Sequence, residues 1–129
     1  MKKYLGWVII LVLIVGLFGW WKASQVVPEG KYDQFAQCVA GKGFTMYGAY
    51  WCPHCKAEKA RFGTSFQYVP YVECTQEVKL CTDKGIKGYP TWIMEGVSTS
   101  TATSTETARY SGELGLEKIA KITGCELPQ

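Results

Sequence analysis

Histidine is nearly absent from this sequence, with His54 the only one among 129 residues. Cys52 and Cys55 form the only Cys-x-x-Cys pair. A protein zinc site takes four ligands, commonly two such pairs or one pair with added histidines. At most half of a metal site is therefore present, and no metal is expected. Acid is missing from residues 1–22, and residues 5–21 carry no charge of either sign. The remainder is balanced, with 11 basic and 11 acidic residues across 23–129, so the net +3 belongs to Lys2, Lys3 and Lys22. A neutral body gives no electrostatic ground for binding nucleic acid.

The uncharged stretch 5–21 is nearly all apolar. As helix it is about 25 Å long, near the lower limit for crossing a bilayer. Tyr4, Trp7, Trp20 and Trp21 lie towards its ends, where interfacial aromatics sit. A cleaved signal peptide needs small residues at −3 and −1. Cleavage after Ala23 puts Trp21 at −3, cleavage after Ser24 puts Lys22 there, and no lipobox cysteine follows. The expected organisation is a transmembrane anchor at 4–22, a linker at 23–31 and a folded domain at 32–129. Lys2, Lys3 and the amino terminus against Lys22 alone place the N-terminus inside and the domain on the outer side of the cytoplasmic membrane. Six cysteines in so small a domain suit the same oxidising side.

The chemistry gathers at Tyr50-Trp51-Cys52-Pro53-His54-Cys55. Upstream, residues 44–50 are apolar with strand character; downstream, residues 56–62 are strong helix formers. Cys52 then ends a strand, and Pro53 takes the first helical position, where its missing N–H costs nothing. A thiol there faces unpaired N–H groups and the positive end of the helix dipole, which stabilise a thiolate, the nucleophile of disulfide exchange. His54 adds positive charge beside it. Cys55 is one helical step on and can close a disulfide with Cys52. The pair reads as a redox dithiol, with a zinc half-site and a purely structural disulfide as the alternatives.

Around this motif the sequence predicts a helix at 32–40, a strand from Phe44 to Trp51, a helix at 53–62 and a strand at 68–74. A short helix at 77–84, a turn into a third strand at 86–94, a strand at 108–111 and a helix at 114–122 follow. Residues 98–107, almost all Ser, Thr and Ala, read as a polar hairpin loop. The order implies an α/β domain with a mixed sheet between helices.

This order resembles the thioredoxin-like fold. More narrowly, the stretch 46–55, Tyr71-Val72-Glu73-Cys74, residues 85–92 and Tyr110-Ser111-Gly112-Glu113 resemble the thioredoxin-like domain fused to, or partnered with, bacterial homologues of vitamin K epoxide reductase. The resemblance implies that Cys52 is the exposed attacking cysteine and Cys55 the resolving one. It implies that Pro90 is a cis-proline packed against the dithiol, and that Trp51, Tyr89, Pro90 and Thr91 receive an extended substrate peptide. The Pro53-His54 pair is that of the strongly oxidising bacterial oxidant DsbA, which implies donation of disulfides. Thioredoxins usually bury an acid six residues before the first cysteine. Met46 stands there instead, so either Glu58 or water takes over the proton of Cys55, or the second half-reaction is slow.

The family carries an extra cysteine pair near Cys74 and Cys81, which implies a local disulfide; a second redox relay is the alternative. Cys38 and Cys125 remain, and the implied fold allows their helices to share one face. The expected function is a membrane-anchored oxidase acting on exported proteins with free thiols. It needs no cofactor beyond its own disulfide and is reoxidised by a quinone-linked membrane protein resembling vitamin K epoxide reductase. A reductase or isomerase, and a non-catalytic peptide-binding module, are the alternatives.

Overall fold

The computed structural model describes residues 2–23, 29–97 and 106–129. Most of the expected linker and nearly all of the Ser/Thr stretch fall on 24–28 and 98–105, outside the described residues. The first helix, α1, spans Lys2–Ala23. The expectation of a transmembrane anchor at 4–22, and with it a single-pass placement in the cytoplasmic membrane, is corrected. Among the described residues no helix is long and apolar enough to cross a membrane.

The remaining elements build a four-stranded mixed sheet. Strand β1 (Phe44–Gly48) lies parallel to β2 (Tyr71–Glu73) and antiparallel to β3 (Thr91–Val97), which pairs antiparallel with β4 (Glu106–Ser111). The spatial order is β2-β1-β3-β4. Parallel strands cannot be joined by a tight hairpin. The connection from β1 to β2 is accordingly a crossover through α3 (Pro53–Phe62) and a 3-10 helix, Gly63–Tyr68. Three more helices complete the fold: α2 (Asp33–Gly41), α4 (Val78–Asp83) and α5 (Leu116–Thr123).

Strand alternation sorts the core into two layers. Phe44 and Met46 of β1 and Trp92 and Met94 of β3 join Phe35, Ala36 and Val39 of α2, Phe62 of α3 and Ile119 of α5. Tyr47 and Ile93 face the other way, onto Cys74 and Cys81. In the larger layer Phe44 stacks on Trp92 with centroids 4.9 Å apart, and Phe35 stacks on Phe62 at 5.8 Å.

Several boundaries differ from expectation. β1 stops at Gly48 rather than Trp51, because a turn follows in which the Cys52 N–H donates to the Ala49 carbonyl at 3.0 Å. β2 starts only at Tyr71, since Pro70 has no N–H to give a ladder; its carbonyl instead accepts from Met46 at 2.9 Å. β4 begins at Glu106, within the stretch expected as loop. Disulfides join Cys38 to Cys125 and Cys74 to Cys81. The first ties the chain beyond α5 to α2; the second closes the segment between β2 and α4.

Candidate active site

Cys52 is the residue before α3, extended at φ −71° and ψ 120°, and Pro53 opens the helix. Both Cys52 and Cys55 are free thiols. The resemblance implies an exposed Cys52, yet it is only 4% exposed, against 1% for Cys55. Its side chain makes no capping bond to α3 and instead donates to the Tyr89 carbonyl, 3.6 Å away and 37 positions along the chain. The Tyr89–Pro90 bond is cis and Pro90 is fully buried, so the loop entering β3 closes over the thiol. Thr91 is also buried, and its hydroxyl donates to the Gly88 carbonyl at 2.8 Å, bracing that loop. Trp51 stands exposed beside the site, edge-on to the Tyr89 ring at 6.0 Å.

The two faces of α3 meet different charges. His54 is exposed, and its Nδ1 lies 2.6 Å from Glu113 Oε1, while Arg61 holds the other Glu113 oxygen at 2.7 Å. Arg61 first, and His54 after it, keep the Glu113 carboxyl below the usual range. Glu58 is fully buried and accepts from Leu114 N–H at 3.1 Å, from Gly115 N–H and from Arg61 at 3.1 Å. Its oxygens are thus committed to the segment between β4 and α5.

Cys55 lies on the other side. Burial pushes its thiol up to about 12, with the Cys52 sulfur acting in the same direction. A backbone hydrogen bond from Ala49 and the charge of Lys59 oppose the shift. A Cβ on Gly48 would lie 2.8 Å from Cys55 Sγ, 3.1 Å from Tyr71 Cε2 and 3.3 Å from the Tyr71 hydroxyl. Only glycine leaves room for thiol and phenol to border the same space. The Tyr71 hydroxyl donates to Glu73 at 2.6 Å, and Lys59 Nζ sits 3.4 Å from the Tyr71 ring centroid.

Sequence reasoning gave Gly48, Lys59, Tyr71, Glu73 and Glu113 no roles. The available signal was parity: Tyr71 and Glu73 are two apart on a strand and share a face. That strand pairs Met46 with Tyr71 and Gly48 with Glu73. Tyr71 is therefore the direct neighbour of the position where a thioredoxin usually keeps its acid. Among the described residues no cluster of three or more His, Cys, Asp or Glu side chains is arranged to hold a metal ion.

A mixed sheet, a dithiol opening a crossover helix and a cis-proline loop against the first thiol define a thioredoxin-like domain. No protein-family model matches the chain. It is 36% identical over 96 residues to Thiol-disulfide oxidoreductase LTO1 of Arabidopsis thaliana, covering 67% of this chain and 23% of that protein. Protein disulfide isomerase-like 2-2 of Oryza sativa subsp. japonica is 31% identical over 86 residues, 59% of this chain and 21% of the relative. Protein disulfide-isomerase of Aspergillus niger is 29% identical over 110 residues, 78% and 21%. The chain thus spans between a fifth and a quarter of the length of these curated relatives. Among solved structures, chloroplastic thioredoxin z superposes with a TM-score of 0.50 at 18% identity, over 70% of this chain and 85% of that one, a likeness of fold. These relatives are named as a thiol–disulfide oxidoreductase and protein disulfide isomerases, which supports the enzyme class expected from the sequence.

Proposed function

We propose that this chain is a thiol–disulfide oxidase that donates the Cys52–Cys55 disulfide to substrate proteins with free thiols. The observation that carries this reading is Cys52 at the head of α3, 3.6 Å from the carbonyl beside cis-Pro90. A substrate thiolate attacks Cys52 Sγ, the Cys52–Cys55 bond breaks, and its electron pair leaves on the Cys55 sulfur. A second substrate thiolate attacks the substrate sulfur of the mixed disulfide and releases Cys52 as thiolate. The substrate gains a disulfide and the chain two electrons. Cys52 stands at the N-terminal end of α3, where the helix dipole favours negative charge, which supports the oxidising direction. Trp51 and the backbone about Tyr89 and Pro90 receive the substrate peptide. A quinone-linked partner resembling vitamin K epoxide reductase takes the two electrons and restores the disulfide.

An isomerase is the second reading, and one contact favours it. Glu113, 2.6 Å from His54, offsets the positive charge that would otherwise stabilise the thiolate. The reduction potential of Cys52–Cys55 against a glutathione series separates the readings. A value near −120 mV (about that of DsbA) supports the oxidase, and one near about −180 mV supports the isomerase. A value near about −270 mV, that of thioredoxin, overturns both in favour of a reductase.

A further inference from the structure

Cys55 must lose and regain a proton whichever way disulfides flow, because it is the leaving sulfur in one direction and the resolving sulfur in the other. Burial makes that costly, and Met46 offers no acid–base group. Glu58, the acid on the same helix, has its oxygens taken by Leu114, Gly115 and Arg61. The described titratable groups that face Cys55 are Cys52 and Lys59 from α3 and Tyr71 from β2, whose hydroxyl is bonded to Glu73. The end of strand β1 and the residue after it present the Gly48 and Ala49 backbone there.

We propose that Tyr71 and Glu73 are the positioning residues through which Cys55 exchanges its proton, in place of the acid missing at Met46. The inference rests on the thiol–disulfide exchange reading above. Tyr71 and Cys55 border the space left by Gly48, and the phenol is already hydrogen-bonded to the Glu73 carboxylate at 2.6 Å. As the Cys55 proton passes to the phenol oxygen, the phenol's own proton passes to Glu73. Tyr71 ends unchanged, Glu73 ends protonated, and Cys55 ends as thiolate beside the Lys59 ammonium. The thiolate then attacks Cys52 Sγ of a mixed disulfide. The Cys52–Cys55 bond forms, the bond from Cys52 to the substrate sulfur breaks, and its electron pair leaves on that sulfur. Glu73 is half-buried and returns the proton to water.

Burial against it notwithstanding, hydrogen bonds from Tyr71, Thr75 and the Tyr50 N–H hold the Glu73 carboxyl below its usual value. At rest Glu73 is therefore the ionised acceptor. Burial first, and the Glu73 hydrogen bond after it, raise the Tyr71 phenol above its ordinary value, so it passes a proton on without itself ionising.

The test uses the full chain, reduced and mixed with Ellman's reagent in stopped flow across a pH series. The first thionitrobenzoate release reports attack by Cys52, and the second reports ring closure by Cys55. Tyr71→Phe and Glu73→Gln are expected to slow the second release by about tenfold to a hundredfold at neutral pH, the order of general-base catalysis. The loss should recover at high pH, where Cys55 ionises unaided; a merely structural defect would not recover. The first release should stay at the wild-type rate. A second release that coincides with wild type in rate and pH profile in both variants overturns the proposal. If Glu73→Gln fails to fold, Tyr71→Phe alone decides. The exchange reading itself fails separately, if wild-type protein gives no second release or if Cys55→Ser retains it.

Discussion

The Gly115 N–H donates to both carboxylate oxygens of Glu58, at 3.1 and 3.2 Å. A fully buried acid on the active-site helix thereby fixes the start of α5 from 57 positions away. Removing it orphans two backbone donors and unpairs one side of Arg61. Glu58→Ala should cost roughly 3 kcal/mol in urea unfolding, and Glu58→Gln, which keeps an acceptor, about half of that. An unchanged midpoint in Glu58→Ala would show that the buried contact contributes nothing.

Gly48 is a point of close packing. Gly48→Ala brings a methyl within 2.8 Å of Cys55 Sγ and 3.1 Å of the Tyr71 ring. Overpacking of this kind costs about 1–3 kcal/mol. The substitution should lower the unfolding midpoint and also slow closure of the Cys52–Cys55 ring, since it displaces one of the two sulfurs. Ring closure at the wild-type rate would place the cost elsewhere.

The reduced and oxidised forms should differ in alkali. Burial raises the folded Cys55 from an ordinary value of 9.0 to about 12. Over that interval the unfolded chain releases a proton that the folded chain keeps. The Cys55 contribution to stability is therefore complete below about pH 9 and lost as pH rises towards about 12. Chemical denaturation of the reduced protein should show a steeper decline above pH 9 than the oxidised protein, which has no Cys55 thiol to ionise. Parallel curves for the two forms would refute this.

The other two disulfides should contribute unequally. Cys38–Cys125 spans 87 positions and Cys74–Cys81 spans seven. In the loop-entropy model the first is worth about 4–5 kcal/mol and the second about 2–3 kcal/mol. Replacing Cys38 and Cys125 by alanine should thus lower the thermal midpoint more than replacing Cys74 and Cys81. The reverse order would argue that strain or enthalpy outweighs the chain-entropy term.

Much of the site could be read before any coordinates. The bounds of α3 follow from Pro53 at its first position and Gly63 after Phe62, because a proline lacks only an N–H the first turn does not use. The proximity of Pro90 to Cys52, and its cis bond, were implied by resemblance and are present in the structure. The membrane anchor was read from an uncharged apolar run, its flanking aromatics and the lack of a cleavage site, and among the described residues no helix is long and apolar enough to cross a membrane. Glu58 shows where such reading stops. Its place on α3 made it a candidate partner for Cys55, but a helical position does not say which neighbour a carboxylate meets.

Local covalent chemistry decided where the dithiol sits. Cys52, Pro53 and a run of helix formers determine a helix start and a thiol at its positive pole, whatever surrounds them. Which groups attend each thiol was decided only by long-range pairing. The register that sets Tyr71 beside Met46 and Glu73 beside Gly48, and the loop that lays Tyr89 over Cys52, join residues 25 to 37 positions apart. Hydrogen bonds and burial of this kind depend on the geometry of the assembled sheet, and no local preference encodes them.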